Sequence, residues 1–206
     1  MMKKEIKNIV FDMGQVLLHF TVERLLTRFF DEGDHPLLRQ IIFGSGDWRA
    51  IDEGTLTEEE ALRRWQETAP ERLREPLADM LAHWEEILTP VEGMADLVRS
   101  LKAAGYGCYL LSNTSLRFYR YWESVEALRL LDARFVSAEH RMLKPDPAIF
   151  RKMLADFGLC AEECYFIDDS EENTEAARSV GMTAFCFAAQ DVEALRADMR
   201  GKGIRV

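Results

Sequence analysis

The chain has 206 residues, 48% of them hydrophobic, with 36 acidic against 26 basic side chains and a formal charge of −10. That size suits one domain with an inserted module, and the acidic balance argues against nucleic-acid or anionic-membrane partners, both of which need basic patches. An anionic substrate stays open, because a lysine and a metal ion can reverse the field inside one pocket, and no apolar run approaches the length of a membrane span.

The start, Met1-Met2-Lys3-Lys4-Glu5-Ile6, runs directly into a strand-like segment, so no signal peptide is expected. Ile9-Val10-Phe11 then reads as a short buried strand ending at Asp12, with Gly14 two positions on. From about Thr21 to Thr89 the pattern is helical, with Trp48, Trp65 and Trp84 and no convincing strand. Thr57-Glu58-Glu59-Glu60 has the form of a capping box, and Asp31 to Pro36 reads as a turn. We expect residues 21–89 to be a helical cap inserted after the first strand, and residues 1–20 with 90–206 to form the core.

Beyond residue 90, helix and strand patterns alternate. Val91, Met94, Leu97, Val98 and Leu101 recur at helical spacing, with Gly105 as the stop. Strands follow at Cys108 to Leu111 and Ala133 to Ser137. Asp146-Pro147 caps a helix with the apolar stripe Ile149, Phe150, Met153, Leu154 and Phe157, ended by Gly158. Tyr165 to Ile167 and Thr183 to Phe187 are further strands, separated by a helix through Ala176, Ala177 and Val180 that stops at Gly181. Asp191 caps the last helix. Alternation of this kind predicts an α/β fold, a Rossmann-like parallel sheet with helices on both faces.

Four polar signals sit at or just beyond the exits of apolar runs, where open parallel sheets build their sites. Asp12 could attack phosphorus and form an aspartyl-phosphate; alone, it could equally cap the next turn. Gly14 lets the backbone bend and present its carbonyl as a hard oxygen donor to Mg²⁺. Ser112-Asn113-Thr114 could hold phosphoryl oxygens, although it is also ordinary turn chemistry. Lys144, held extended by Pro145, could offset charge between Asp12 and a phosphate; an isolated lysine is more often solvated. Asp168-Asp169 repel one another unless a cation neutralises them. Asp169 is read as the direct metal ligand, with Asp168 acting through water or as an orienting group and Asn173 supporting the loop. Of the cysteines, Cys108 and Cys186 lie in apolar runs, and Cys160 and Cys164 could share a helix face without completing a zinc set. Free thiols in a reducing cytosol are expected, and with them a cytoplasmic location.

This order of residues resembles the haloacid dehalogenase-like hydrolase superfamily. Asp12 matches its nucleophile, Ser112 its phosphate-binding hydroxyl, Lys144 its lysine and Asp168-Asp169 its metal-binding acids. The helical insert looks like the family's cap. Phe11-Asp12-Met13-Gly14-Gln15-Val16 with Leu111-Ser112-Asn113-Thr114 is similar to the α-D-glucose-1-phosphate phosphatases and to the phosphatase domain of bifunctional epoxide hydrolases. The resemblance implies a Mg²⁺-dependent phosphatase acting on a small phosphorylated metabolite. One position departs: most phosphatases of the superfamily carry an aspartate, as general acid, where this chain has Gly14. Such an acid contributes ~10²–10⁴-fold, so an activated ester such as a sugar 1-phosphate is the expected substrate. Gln15 and His19 are the nearest substitutes in sequence. Asp47-Trp48-Arg49 and Asp52-Glu53-Gly54 are the expected pocket-facing part of the cap, with Trp48 equally able to pack the cap's own core. A metal-independent 2-haloacid dehalogenase and a catalytically idle binding protein are the competing readings.

Overall fold

A computed structural model describes residues 4–206. Met1, Met2 and Lys3, on which the reading of the chain start partly rests, lie outside the described residues. Among the described residues seven strands form: β1 (Asn8–Phe11), β2 (Leu18–His19), β3 (Thr89–Pro90), β4 (Gly107–Ser112), β5 (Ala133–Val136), β6 (Cys164–Asp168) and β7 (Thr183–Cys186). Five of them make one parallel sheet in the order β5-β4-β1-β6-β7. β1 is central, with Phe11 level with Leu110 on one side and Ile167 on the other.

Successive side chains of a strand point to opposite faces, and here both faces are apolar. Ile9, Phe11, Leu110, Tyr165 and Ile167 pack to one side with the helices Met94–Ala103 and Val192–Gly201. Val10, Leu111, Phe135 and Phe166 pack to the other with Pro147–Phe157 and Glu171–Ser179. Burial on two faces explains why the strands read as continuous apolar runs. Each large side chain removed from water contributes about 1.5–3 kcal/mol, so the sheet is a rigid platform for whatever its ends carry. The predicted caps form as read: Asp146 accepts from Ala148 N, Asp191 from Ala194 N, and Thr57 and Glu60 make the reciprocal box.

Residues between β2 and β3 form the helical insert, with helices Val22–Phe29, Asp47–Glu53, Glu58–Thr68 and Arg74–His83. Trp48 stacks on Trp65 and meets Trp84 edge-on, tying three of its elements together.

Several local expectations need correction. An insert free of strands misses β3, whose Thr89 pairs antiparallel with His19; two residues a side carry no readable periodicity. Val91 precedes its helix, which begins at Met94 after Gly93. Cys160 and Cys164 share no helix face, because Cys164 opens β6 and its thiol lies 3.2 Å from the Cys160 carbonyl. The turn beginning at Asp31 includes a 3₁₀ segment and passes into a helix at His35. Among the described residues no helix is long and apolar enough to cross a membrane.

Candidate active site

The C-terminal ends of β1, β4 and β6 bring the motif residues together. Asp12 directly follows β1 and is pinned by its own N–H to the Ile167 carbonyl at 2.8 Å. Ser112 ends β4 and Asp168 ends β6. Lys144 arrives on the loop beyond β5 and is buried, 2% exposed. Its Nζ lies 2.7 Å from Asp12 Oδ1 and 2.6 Å from Asp168 Oδ2. A solvated lysine is thereby ruled out; the amine is the shared counter-ion of two carboxylates.

Both ends of this contact are fixed from behind. Asp168 Oδ1 accepts from Ser170 N and from Asn173 Nδ2, each at 2.9 Å. Asn113 accepts from Lys144 N at 2.8 Å and donates to its carbonyl at 3.0 Å. The Asn113 amide, expected on substrate, therefore clamps the lysine loop, although the residue also lines the cavity beside Asp12.

Asp12, Asp168 and Asp169 each place a carboxylate oxygen within 4.8 Å of the others'. Three carboxylates against one ammonium leave two negative charges in excess. A hard divalent cation such as Mg²⁺ matches that charge and an all-oxygen donor set, so the residues present fit the metal. The electrostatics agree. Burial pushes the Asp12 carboxyl up to about 7 despite the opposing pull of Lys144, and burial, then Asp168, raises Asp169. For Lys144, burial works against the ammonium, but Asp12 and Asp168 outweigh it and hold its pKa above the usual value.

Gly14 itself has no left-handed backbone. That conformation falls on Gln15, with φ 57°. A side chain at Gly14 would meet only Asp12 Oδ2, at 4.0 Å, so nothing steric excludes an aspartate there. Neither sequence neighbour replaces one. Gln15 Oε1 accepts from Phe20 N at 3.1 Å. His19 sits in β2 and does not line the cavity.

That cavity, about 140 Å³, is lined by Asp12, Gly14, Ser112, Asn113, Thr114, Lys144 and Asn173 from the core. Phe20, Trp48, Asp52, Trp84 and Leu88 close it from above. Of the cap residues expected to face a pocket, Trp48 and Asp52 do. Asp47 pairs with Arg64 at 3.0 Å, and Arg49 and Glu53 lie outside the lining. Trp48 satisfies both readings of it, stacking inside the cap and presenting a surface to the cavity. A wider cleft of about 490 Å³ runs along the seam between cap and core but contains none of the four motifs.

Sequence reasoning missed Phe20, Trp84 and Leu88, because their apolar character marks them as ordinary core. It also missed Arg117, which donates to Glu58 at 2.8 Å, to the Ala82 carbonyl at 3.0 Å and to Glu85 at 3.2 Å, fastening the cap to the loop after β4. Nothing in the sequence around Arg117 signals its partners.

A sequence model of the haloacid dehalogenase-like hydrolases matches residues 6–181. The chain belongs to that family. Among characterised relatives, the hydrolase is 28% identical to a sesquiterpene phosphatase of Aspergillus oryzae, over 85% of this chain and 87% of that one. It is 26% identical to the D-ribitol-5-phosphate phosphatase of Bacteroides thetaiotaomicron, over 87% and 91%. A crystal structure of a family enzyme from the same bacterium, in complex with magnesium and inorganic phosphate, superposes with a TM-score of 0.68 at 25% identity, covering 87% and 93% of the two chains.

Proposed function

We propose that this hydrolase is a Mg²⁺-dependent phosphatase of small phosphate monoesters, sugar phosphates such as a sugar 1-phosphate among them. The observation that carries this reading is the Asp12–Lys144–Asp168 contact beside Asp169. It joins a nucleophile, a charge-balancing amine and a set of hard donors in one cluster at the strand ends. The phosphatases named among its relatives and the magnesium–phosphate complex of a structural neighbour support it.

In this reading Asp12 attacks phosphorus from its free oxygen while Lys144 holds the other. Ser112 and the neighbouring backbone take the phosphoryl oxygens. Asp12, the Gly14 carbonyl and Asp169 would hold Mg²⁺, with Asp168 orienting Lys144. When bound, the metal neutralises charge on the phosphoryl group. The cap, through Trp48 and its neighbours, selects the leaving group.

A second substrate reading rests on the cavity roof. Leu18, Phe20, Trp48, Trp84 and Leu88 offer apolar surface, which also suits an ester whose organic part is a hydrocarbon. Purified protein should be assayed against sugar 1-phosphates, sugar 6-phosphates and prenyl phosphates side by side. Turnover with Mg²⁺, loss with EDTA and loss in Asp12→Asn are expected. Metal-independent release of halide from a 2-haloacid would overturn the reading in favour of a dehalogenase.

A further inference from the structure

We infer that Asp52, contributed by the cap, is the proton donor to the leaving group and the proton acceptor from water, the role that Gly14 leaves vacant. This rests on the phosphatase reading above. Among the described residues lining the cavity, Asp12 and Asp52 are the only carboxylic acids. Asp12 is engaged by Lys144, whereas Asp52 has no cationic partner within salt-bridge distance. Asp52 reaches the cavity from the chain between β2 and β3, whereas Asp12, Ser112 and Lys144 reach it from the core.

Its position is fixed by the core. The Asp52 carbonyl accepts from Ser137 Oγ at 2.5 Å, and the same hydroxyl accepts from Thr114 N at 2.8 Å. Two residues on, Gly54 adopts φ 75°, and a Cβ there would lie 2.1 Å from the Ala138 carbonyl. Only glycine lets the end of this helix approach the core so closely. Asp52 is therefore built against the site although it belongs to the cap.

The surroundings favour a protonated acid. Trp48 and Trp84 flank the cavity, and Glu58, which lines a small pocket together with Asp52, is already engaged by Arg117 together with Glu85. Tyr121 is a further titratable neighbour, its phenol held protonated by burial. Burial, with Glu58 adding to it, holds the Asp52 carboxyl well above its ordinary range, against a hydrogen bond from the Ser115 backbone. An acid of that kind can donate a proton near neutral pH.

The two half-reactions balance. In the first, an Asp12 oxygen bonds to phosphorus, the P–O ester bond breaks, and the departing oxygen takes the Asp52 proton. In the second, water attacks phosphorus, the bond from phosphorus to Asp12 breaks, and the water proton returns to Asp52. One ester and one water give one alcohol and one phosphate. With this donor in place, substrates need not be confined to activated esters.

The test uses Mg²⁺-loaded enzyme with aryl phosphates of graded leaving-group acidity and a simple alkyl phosphate. For Asp52→Asn, kcat should fall by ~10²–10⁴-fold on the alkyl ester and by less than about tenfold on p-nitrophenyl phosphate, whose leaving group needs no proton. Asp52→Glu should restore part of the alkyl activity. At neutral pH, the infrared spectrum of wild type minus Asp52→Asn should contain a protonated-carboxyl band. An equal loss on every ester, no loss, or absence of that band would overturn the assignment. A wild type inert toward every ester would take down the phosphatase reading and this inference together. An active wild type whose leaving-group dependence survives Asp52→Asn unchanged would remove this inference alone.

Discussion

Lys144 and Arg117 are both buried cations set between two acidic side chains, one at the heart of the core and the other on the seam with the cap. Lys144 meets Asp12 and Asp168; Arg117 meets Glu58 and Glu85. The guanidinium is planar and forked, and its donors are spread over two glutamates and a carbonyl, which makes it a fastener. The ammonium is a compact point charge. It contacts one oxygen of each aspartate, leaves the second oxygen of Asp12 without a cationic partner, and has Asp169 close by. Arg117 against two glutamates leaves one negative charge in excess; Lys144 against three aspartates leaves two, with three carboxylate oxygens gathered within 4.8 Å of one another. A cation between carboxylates thus serves structure or chemistry according to whether its donors close on the acids or leave carboxylate oxygens gathered for a second cation.

The largest effect should come from Lys144→Met. It leaves Asp12 and Asp168 buried without their shared counter-ion, and breaking a buried pair in this way costs about 3–5 kcal/mol. Thermal unfolding at pH 7 without metal should show a Tm lower by roughly 10 °C, with turnover lost. An unchanged Tm would show that the ammonium is not needed to hold these carboxylates.

Surplus charge makes the next difference. Mg²⁺ should raise the Tm, by about 2.7 kcal/mol of stability at a hundredfold excess over its Kd. An ionic-strength-matched monovalent salt should not reproduce the rise, and Asp169→Asn should abolish it. Equal responses to both salts would reduce the site to non-specific screening.

How far these two centres were legible in the sequence differs for a physical reason. Asp12, Ser112 and Asp168 are at strand exits, so strand periodicity located them, and the parallel sheet placed them side by side. Lys144 followed from its order in the chain, although its burial could not be foreseen. Arg117 was invisible because its partners, Glu58 and Glu85, come from separate helices of the insert, and no local pattern encodes that packing. Asn113 was readable as a polar residue near the site but not as a clamp on Lys144, which depends on how two loops meet. Gly14 was readable as part of a turn, but the left-handed conformation beside it at Gln15 was not.

Arg117→Lys sharpens the comparison by keeping the charge and removing the fork. Hydrogen bonds to charged partners are worth about 1.5–3 kcal/mol each, and a lysine there can retain some of them. A loss of about 1–2 kcal/mol is expected from chemical denaturation. Hydrolysis of an ester small enough to ignore the cap should stay near wild type. If turnover collapsed with the fold intact, the seam would have to be counted as part of the catalytic machinery.

The one effect that depends on pH lies between the two centres, at Asp52, which lines a small pocket with Glu58 and also the cavity beside Asp12. Burial holds its carboxyl well above the ordinary 3.8 in the folded chain, so the folded state binds that proton more tightly than the unfolded state does. The stabilisation this provides is complete below about pH 4 and is lost progressively as pH rises toward the folded value. Asparagine cannot ionise and carries no such loss. Asp52→Asn should therefore match wild type in denaturant unfolding near pH 4 and become relatively more stable as the pH is raised, with the gap ceasing to grow above the folded titration. A gap of the opposite sign would mean that Asp52 is stabilised as a carboxylate, which would require a cationic partner that its present neighbours do not supply. An acid held protonated at a cost in stability is the complement of Arg117, a cation held between two acids, and the pH dependence of this one variant separates the two kinds of site.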